Sequence, residues 1–365
     1  MEVDKSELVK VLNVVKRVAP TRASNPIMTQ VRLTGTNDDL TLTAFNGEVF
    51  YRGVVPASVG AIFDTLVPAH KLIELVSNLK SDSIFIELEN NEMLFAAGRQ
   101  LAKLTTMQAS DYPEFVFEPY EQGAQIKAKD LHDGLDSVAY CCATDDFRGI
   151  FRGVLLKTHD GLIVFAASDG YRFAEKKMAY DSHIPSVVIP KRNLAFITTV
   201  LNLCGPENMV AAGYAHGRFT VSGKNHTIQV ATLDGNDFPN YEKIISQDSN
   251  VILRFDRRAL MDAFKMMGIF AAGDTRPTRI EVSGKTMVLT SRGDYGESSD
   301  VVILEDEVEK PFSFHISAAY MLDALNQVSA EGLQWALTVE GETAKKPTLL
   351  TDSAGNLAVV VPLRV

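Results

Sequence analysis

Thr106-Met-Gln-Ala-Ser-Asp111-Tyr112-Pro113-Glu-Phe115 and Thr232-Leu-Asp-Gly-Asn-Asp237-Phe238-Pro239-Asn-Tyr241 share one pattern at an offset of 239 − 113 = 126 residues. A period of that size splits a chain of 365 residues into three, and internal repetition has to be read before any single motif. Two further registers agree. Leu66-Val67-Pro68 leads into helical apolar spacing from Lys71, and Val188-Ile189-Pro190 does the same from Lys191, with prolines 190 − 68 = 122 apart. A third copy, Phe314-His-Ile-Ser317, lacks the proline but falls 317 − 190 = 127 residues further on. The opening helix of each unit supplies the last register: anchor residues Leu8, Leu131 and Leu260 are separated by 131 − 8 = 123 and 260 − 131 = 129.

Each unit of about 120 residues reads helix, strands, helix, strands. Strand signals are alternating or β-branched runs starting at Leu40, Ile84, Leu162, Ile228, Thr286 and Leu357,. Asn37-Asp-Asp, Asp160-Gly161, Ser222-Gly223 and Ser283-Gly284 predict the turns between them,. Val221-Ser-Gly-Lys224 and Val282-Ser-Gly-Lys285 lie 282 − 221 = 61 apart, which hints at a half-length unit of one helix plus strands. The expected boundaries are 1–122, 123–247 and 248–365, in an α+β fold.

The chain is 46% hydrophobic and 22% charged, ordinary for a globular protein. The acidic start, Met-Glu-Val-Asp-Lys, predicts no signal peptide,, and no apolar run is long enough to span a membrane. Cys141, Cys142 and Cys204 are too few for a disulfide framework or a zinc site and are expected as reduced core thiols,. No phosphate-binding loop, dinucleotide fingerprint, nucleophile elbow or His-Glu-x-x-His pattern occurs. The seven histidines are scattered. Asp145-Asp146 beside Thr144 is expected as a helix end or solvated loop in preference to a metal pair.

Ala167-Ser168-Asp169-Gly170-Tyr171-Arg172-Phe173-Ala174, Ile189-Pro190-Lys191, the Asp237-Phe238-Pro239 segment and the ending Val361-Pro362-Leu363-Arg364-Val365 resemble the bacterial DNA polymerase III β subunit family, the replicative sliding clamps. The resemblance runs from the first helix to the last residue. Tyr171 stands where the family commonly has His, and the usual Met-rich tail reads Val-Pro-Leu-Arg-Val. Both changes keep an apolar or aromatic surface.

The resemblance implies three tandem clamp units per chain closing as a ring-shaped homodimer, helices inside and sheets outside. A helix of about 13 residues, roughly 20 Å long, suits such a wall. It implies a junction at Leu104 facing Ile269 and Phe270, and a peptide-docking cleft walled by Phe151, Ser168, Gly170, Tyr171, Arg172, Phe173, Pro239, Ile244, Val359, Val361, Pro362, Leu363 and Arg364. Within that cleft Arg172 and the Gly170 backbone would hold polar groups of the peptide. The implied partners are duplex DNA, the polymerase III catalytic subunit, a clamp loader and other clamp-binding polymerases and repair proteins; no cofactor, metal or catalysis is implied. A nucleoid-associated cytoplasmic location would follow.

Net charge is −10 and the pI about 5.3, which opposes nucleic-acid binding unless cations are gathered on one face. Lys10, Lys16, Arg22, Lys71, Arg148, Lys191 and Arg192 are the candidate DNA contacts, Arg22 foremost because it matches a DNA-contacting arginine of the family. A ring that slides must hold phosphate weakly, because every neutralised phosphate adds salt-dependent affinity. Two other classes stay open at this point. One is an enzyme of duplicated domains using Asp145, Asp146, Asp169 and His183; the other is a repeat-built scaffold that binds proteins and never encircles DNA.

Overall fold

The computed structural model describes residues 1–115, 124–144, 146–245, 248–271, 273 and 276–364. Asp145 and Val365 lie outside them, as do the side chains of Asp146, Arg148 and Ile244. Contacts divide the chain into two compact units: Met1–His132 with Ser182–Ile184 and Arg192–Leu233, and Asp133–Asp181 with Pro185–Lys191 and Asp234–Val365.

The main helices are Lys5–Val18, Ala69–Asn78, Ala128–Ala139, Lys191–Cys204, Arg257–Phe270 and Ala318–Gln327. The first begins where Asp4 accepts the Glu7 N–H, buries Leu8, Val11, Leu12, Val15 and Val18 along one stripe, and carries Lys16 and Arg17 in its last turn, where cations complement the helix dipole. Asp256 and Ser317 cap two others by accepting from the Ala259 and Tyr320 N–H groups. Ser317 thus stands where Pro68 and Pro190 stand, one residue before a helix, and this explains why the third copy dispenses with proline. Ile269 and Phe270 are the last residues of the helix Arg257–Phe270.

In the first unit the strands Phe63–Pro68, Gln30–Gly35, Asp39–Phe45 and Val49–Val59 lie side by side, and His226–Ala231 adds antiparallel to the last. In the second unit Val187–Pro190, Gly153–His159, Leu162–Ser168 and Arg172–Ala179 follow the same order, and Asn356–Val360 adds antiparallel to the last. A third set uses residues 312–317, 277–282, 286–293 and 296–303. Strand geometry runs unbroken over Pro277–Gly293, yet the Ser291 hydroxyl donates to the Pro277 carbonyl at 3.0 Å, where 14 extended residues would span roughly 46 Å. The chain therefore doubles back at Ser283 and Gly284, where Gly284 has φ +56°, a backbone that favours glycine. The turn expected there is present, and Asp160 and Gly161, φ +51° and +73°, form another.

The motif that set the period forms one structure twice. Ala109–Asp111 and Gly235–Asp237 are both single 3₁₀ turns, closed by the Tyr112 and Phe238 N–H groups at 3.0 and 3.1 Å. Behind each turn an aromatic ring covers the sheet: Phe115 lies 3.8 Å from Phe50, and Tyr241 4.5 Å from Phe173, centroid to centroid. Phe50 and Phe173 are themselves 173 − 50 = 123 residues apart.

Cys141 and Cys142 are buried and Cys204 half-buried, all three as free thiols. Burial pushes the Cys142 thiol up to about 12 and the Cys204 thiol up to about 11, so neither is a ready nucleophile.

Candidate functional site

The turn at 168–172 is held by a set of short-range hydrogen bonds. Asp169 accepts from the Tyr171 and Arg172 N–H groups at 2.9 and 3.0 Å, and Ser168 accepts from the Gly170 N–H at 3.1 Å while donating to the Arg172 carbonyl at 2.8 Å. Gly170 takes φ +87°, which lets the chain reverse in so few residues. The result presents Tyr171 to solvent, 54% exposed, on a turn that has little freedom left.

Arg172 points the other way. Its Nε donates to Asp169 at 3.0 Å and its Nη1 to Asp323 of the helix Ala318–Gln327 at 2.5 Å, with the guanidinium 4.4 Å from the Tyr320 ring centroid and 5.6 Å from that of Tyr140. Only 13% of the side chain is exposed. The Asp323 and Asp169 carboxylates hold its pKa above the usual value against the opposing effect of burial. The guanidinium, expected to hold polar groups of a peptide, pairs here with carboxylates of the protein itself. Asp169, one of the conceivable catalytic groups, is spent on the same turn.

Phe151 meets Phe238 edge-on at 5.9 Å, and Phe173 and Val359 sit in a core cluster with Leu155, Ala166, Val188 and Leu349 beneath Tyr241. Phe173 and Val359 are buried. Pro239 is exposed. The tail is stitched down by two backbone bonds, Val361 N–H to the Tyr171 carbonyl at 3.1 Å and Leu363 N–H to the His315 carbonyl at 2.7 Å. Pro362 is buried, Val361 and Leu363 are half-buried and Arg364 is exposed. Pro362, Leu363 and Arg364 also border a cavity of about 600 Å³ with Phe314 and His315.

The cationic candidates separate by partner. Lys10 is paired with Glu7 at 2.6 Å, Lys71 with Glu74 at 3.0 Å, and Arg192 forks onto Glu48 at 2.7 and 2.8 Å. Lys16, Arg22 and Lys191 are exposed and make no ion pair with a described residue. Arg17, adjacent to Lys16, donates to Thr199 at 2.8 Å and so ties the helices Lys5–Val18 and Lys191–Cys204 together. Of the residues expected at the junction, Leu104 and Phe270 are half-buried and Ile269 is exposed; Leu101, on the same strand as Leu104, is 66% exposed. Its place in the alternation of Gln100–Thr105 was the available signal.

Among the described residues no cluster of His, Cys, Asp and Glu could hold a metal ion. No described helix is long and apolar enough to cross a membrane.

Residues 1–116 match the DNA polymerase III beta subunit, N-terminal domain, and residues 125–240 match its central domain. The beta sliding clamp of Pseudomonas aeruginosa is 25% identical over 370 residues, covering 100% of this chain and 99% of the relative. That of Synechococcus elongatus is 24% identical over 340 residues, 90% of each. The crystal structure of the Pseudomonas aeruginosa polymerase III subunit beta superposes with a TM-score of 0.89 at 23% identity, covering 100% of both chains. The Bacillus subtilis sliding clamp gives 0.89 at 20% identity, covering 100% of this chain and 98% of that one. The fold is that of the bacterial sliding clamps. The chain belongs to the DNA polymerase III beta subunit family.

Proposed function

We infer that this chain is a DNA sliding clamp: a processivity factor that encircles duplex DNA as a ring-shaped homodimer and catalyses nothing itself. Three clamp domains, 1–122, 123–247 and 248–365, each of two helix-plus-strands halves, make up the protomer. The observation that carries the reading is a set of strand seams. His226–Ala231 closes onto residues 49–53 and Asn356–Val360 onto residues 172–176. The corresponding strand of the first repeat, Gln100–Thr105, lies 226 − 100 = 126 residues earlier and ends its sheet. Residues 296–303, which correspond to 172–179, have an open side among the described residues. One protomer thus carries both halves of a third seam. An unpaired strand edge of this kind invites a partner, and a twofold pair of chains satisfies both edges at once. Leu101, Val301, Ile303 and Ile269 are exposed around these two edges, the apolar surface that such a junction would cover.

The lining of the hole is assigned to Lys16, Arg22 and Lys191 first, then to Lys10, Lys71 and Arg192, whose pairing with carboxylates weakens their pull on phosphate, and to Arg148, whose side chain lies outside the described residues. The docking surface is the Tyr171 turn with Phe151, Pro239, Ile244 and the tail, over the Phe173 and Val359 floor. It takes short linear peptides of the polymerase III catalytic subunit, a clamp loader and other clamp-binding enzymes. A related clamp from Pseudomonas aeruginosa, 23% identical over 100% of this chain and 99% of that one with a TM-score of 0.89, was solved bound to griselimycin. The protein would act in the cytoplasm on the nucleoid.

Retention on DNA tests the reading. Loaded protein should remain on closed circular DNA and leave once the circle is cut. Equal loss from closed and cut circles would favour a scaffold that never encircles DNA.

A further inference from the structure

The two strand seams inside the chain define the register that a third would take. Thr220 pairs with Gln229 as Leu94 pairs with Lys103, with 220 − 94 = 126 and 229 − 103 = 126. Phe45 pairs with Phe50, Ser168 with Phe173 and Arg292 with Glu297, at steps of 173 − 50 = 123 and 297 − 173 = 124. Lys103 is therefore the counterpart of Gln229, and Glu297 the counterpart of Phe50 and Phe173. At the first seam Gln229 stands opposite Phe50, and at the second Val359 stands opposite Phe173. Carried over to the two open edges, this register sets Lys103 of one copy opposite Glu297 of another, and Leu101 opposite Ser299.

The faces of the strands agree. Leu101, Lys103 and Thr105 are exposed while Ala102 and Leu104 are half-buried; Glu297, Ser299, Val301 and Ile303 are exposed while Val302 and Leu304 are buried. A slip of one residue would turn every side chain to the wrong face, so odd positions must meet odd positions.

The chemistry at this position changes from seam to seam. Within the chain it is filled by Gln229, Phe50, Phe173 and Val359, none more than 7% exposed. On the open edges it is filled by Lys103 and Glu297, both exposed and opposite in sign. The charges continue on either side: Lys103 meets Glu92 of the neighbouring strand at 3.3 Å, and Arg292 stands in register with Glu297. Across four strands the order is Glu92, Lys103, Glu297, Arg292, alternating in sign. Opposite charges facing each other across paired strands attract, and like charges repel. The row therefore favours this register over a slip of two residues, which would set Lys103 against Ser299 or Tyr295.

We propose that the contact between two copies of this chain is a sign-alternating charge ladder, centred on Lys103 of one copy and Glu297 of the other, which fixes its register and makes it the salt-sensitive seam of the assembly. This rests on the reading of the two edges as a twofold junction. The internal seams bury apolar side chains where this one carries charges that water can reach, so salt loosens the seam between copies in preference to those within a chain.

Cross-linking and mass test it on the full-length protein. Lys103→Cys/Glu297→Cys should give a reducible covalent dimer under mild oxidation. Lys103→Cys/Ser299→Cys, the pair that a two-residue slip would favour, should give far less, with the parent and its three cysteines as the blank. By light scattering the parent dimer should weaken as NaCl rises from about 50 to about 500 mM, because exposed charges are screened, and Lys103→Gln/Glu297→Gln should lose most of that dependence. Lys103→Glu sets carboxylates against each other at both junctions of a twofold pair and should weaken dimerisation roughly tenfold or more. A dimer that cross-links through Ser299 instead, or whose mass ignores both Lys103→Glu and salt, would overturn the ladder and leave the ring reading standing. A parent chain that stays monomeric at every concentration would overturn both.

Discussion

Tyr51 and His226 meet at the seam between the first two repeats, the tyrosine hydroxyl 2.8 Å from Nδ1, where His226 pairs in register with Gly53. Tyr51 is fully buried, and a methyl group on Gly53 would sit 2.5 Å from its hydroxyl, so this position of the strand has to be glycine for the two to touch. Burial holds His226 below its usual pKa of 6.5, with Glu7 opposing and Lys10 adding to the shift.

Because the folded state resists this proton, the unfolded chain binds it first on acidification. The stability it confers is complete above about 6.5 and is lost as pH falls from there towards the folded value. Melting temperatures at pH 7.5 and 5.5 should show His226→Gln losing less on acidification than the parent chain. Parallel losses would mean that the ring does not titrate in this window.

Removing the last five residues, 361–365, should abolish peptide docking and leave the fold intact. The strand Asn356–Val360 ends before the cut, so its ladder with residues 172–176 survives; among the described residues the bonds to Tyr171 and His315 go, with the packing of Pro362. Circular dichroism and peptide anisotropy on one sample decide it; loss of both signals would show that the tail belongs to the core.

Arg172→Ala and Asp323→Ala should be strongly non-additive. Residues joined by one bond couple by about 0.5–3 kcal/mol in double-mutant cycles, and here unfolding stability and peptide affinity should both report it, since the Tyr171 turn is held from behind. Additive effects would mean that the contact carries nothing.

Leu101→Glu or Ile303→Glu should convert a species near 2 × 40.0 = 80.0 kDa into one of 40.0 kDa by light scattering. Both side chains are more than half exposed in the single chain, so the fold has little reason to suffer. An unchanged mass would move the junction elsewhere.

Arg22→Ala should weaken binding to linear DNA and reduce the salt slope by about one, as expected for a phosphate contact. Lys71→Ala, already neutralised by Glu74, should do less. The reverse order would redraw the lining.

The period, the helices and the turns were legible because they depend on local chemistry: an Asp-aromatic-Pro segment forms the same 3₁₀ turn wherever it occurs, and apolar spacing marks the buried stripe. Family resemblance located the Tyr171 turn and the tail. Orientation was not legible. Arg172 was expected to hold polar groups of a peptide; its partner Asp323 lies 151 residues away, and no pattern announces that contact. Lys10 and Lys71 looked available until helical neighbours at three residues' distance took them up. Leu104 was named for the junction, while the alternation that turns Leu101 outward went unread.

The two aromatic covers, Phe115 on Phe50 and Tyr241 on Phe173, belong to the stretches that follow each seam strand along the chain. A repeat is therefore finished by the segment that leaves it. Under mechanical load applied through the termini, each of these plugs must be pulled free before the residues behind it can bear tension. The sequence in which the protein yields would then be set by two rings seated on sheets, and fragments cut before Phe115 or Tyr241 would be left with an unsealed face.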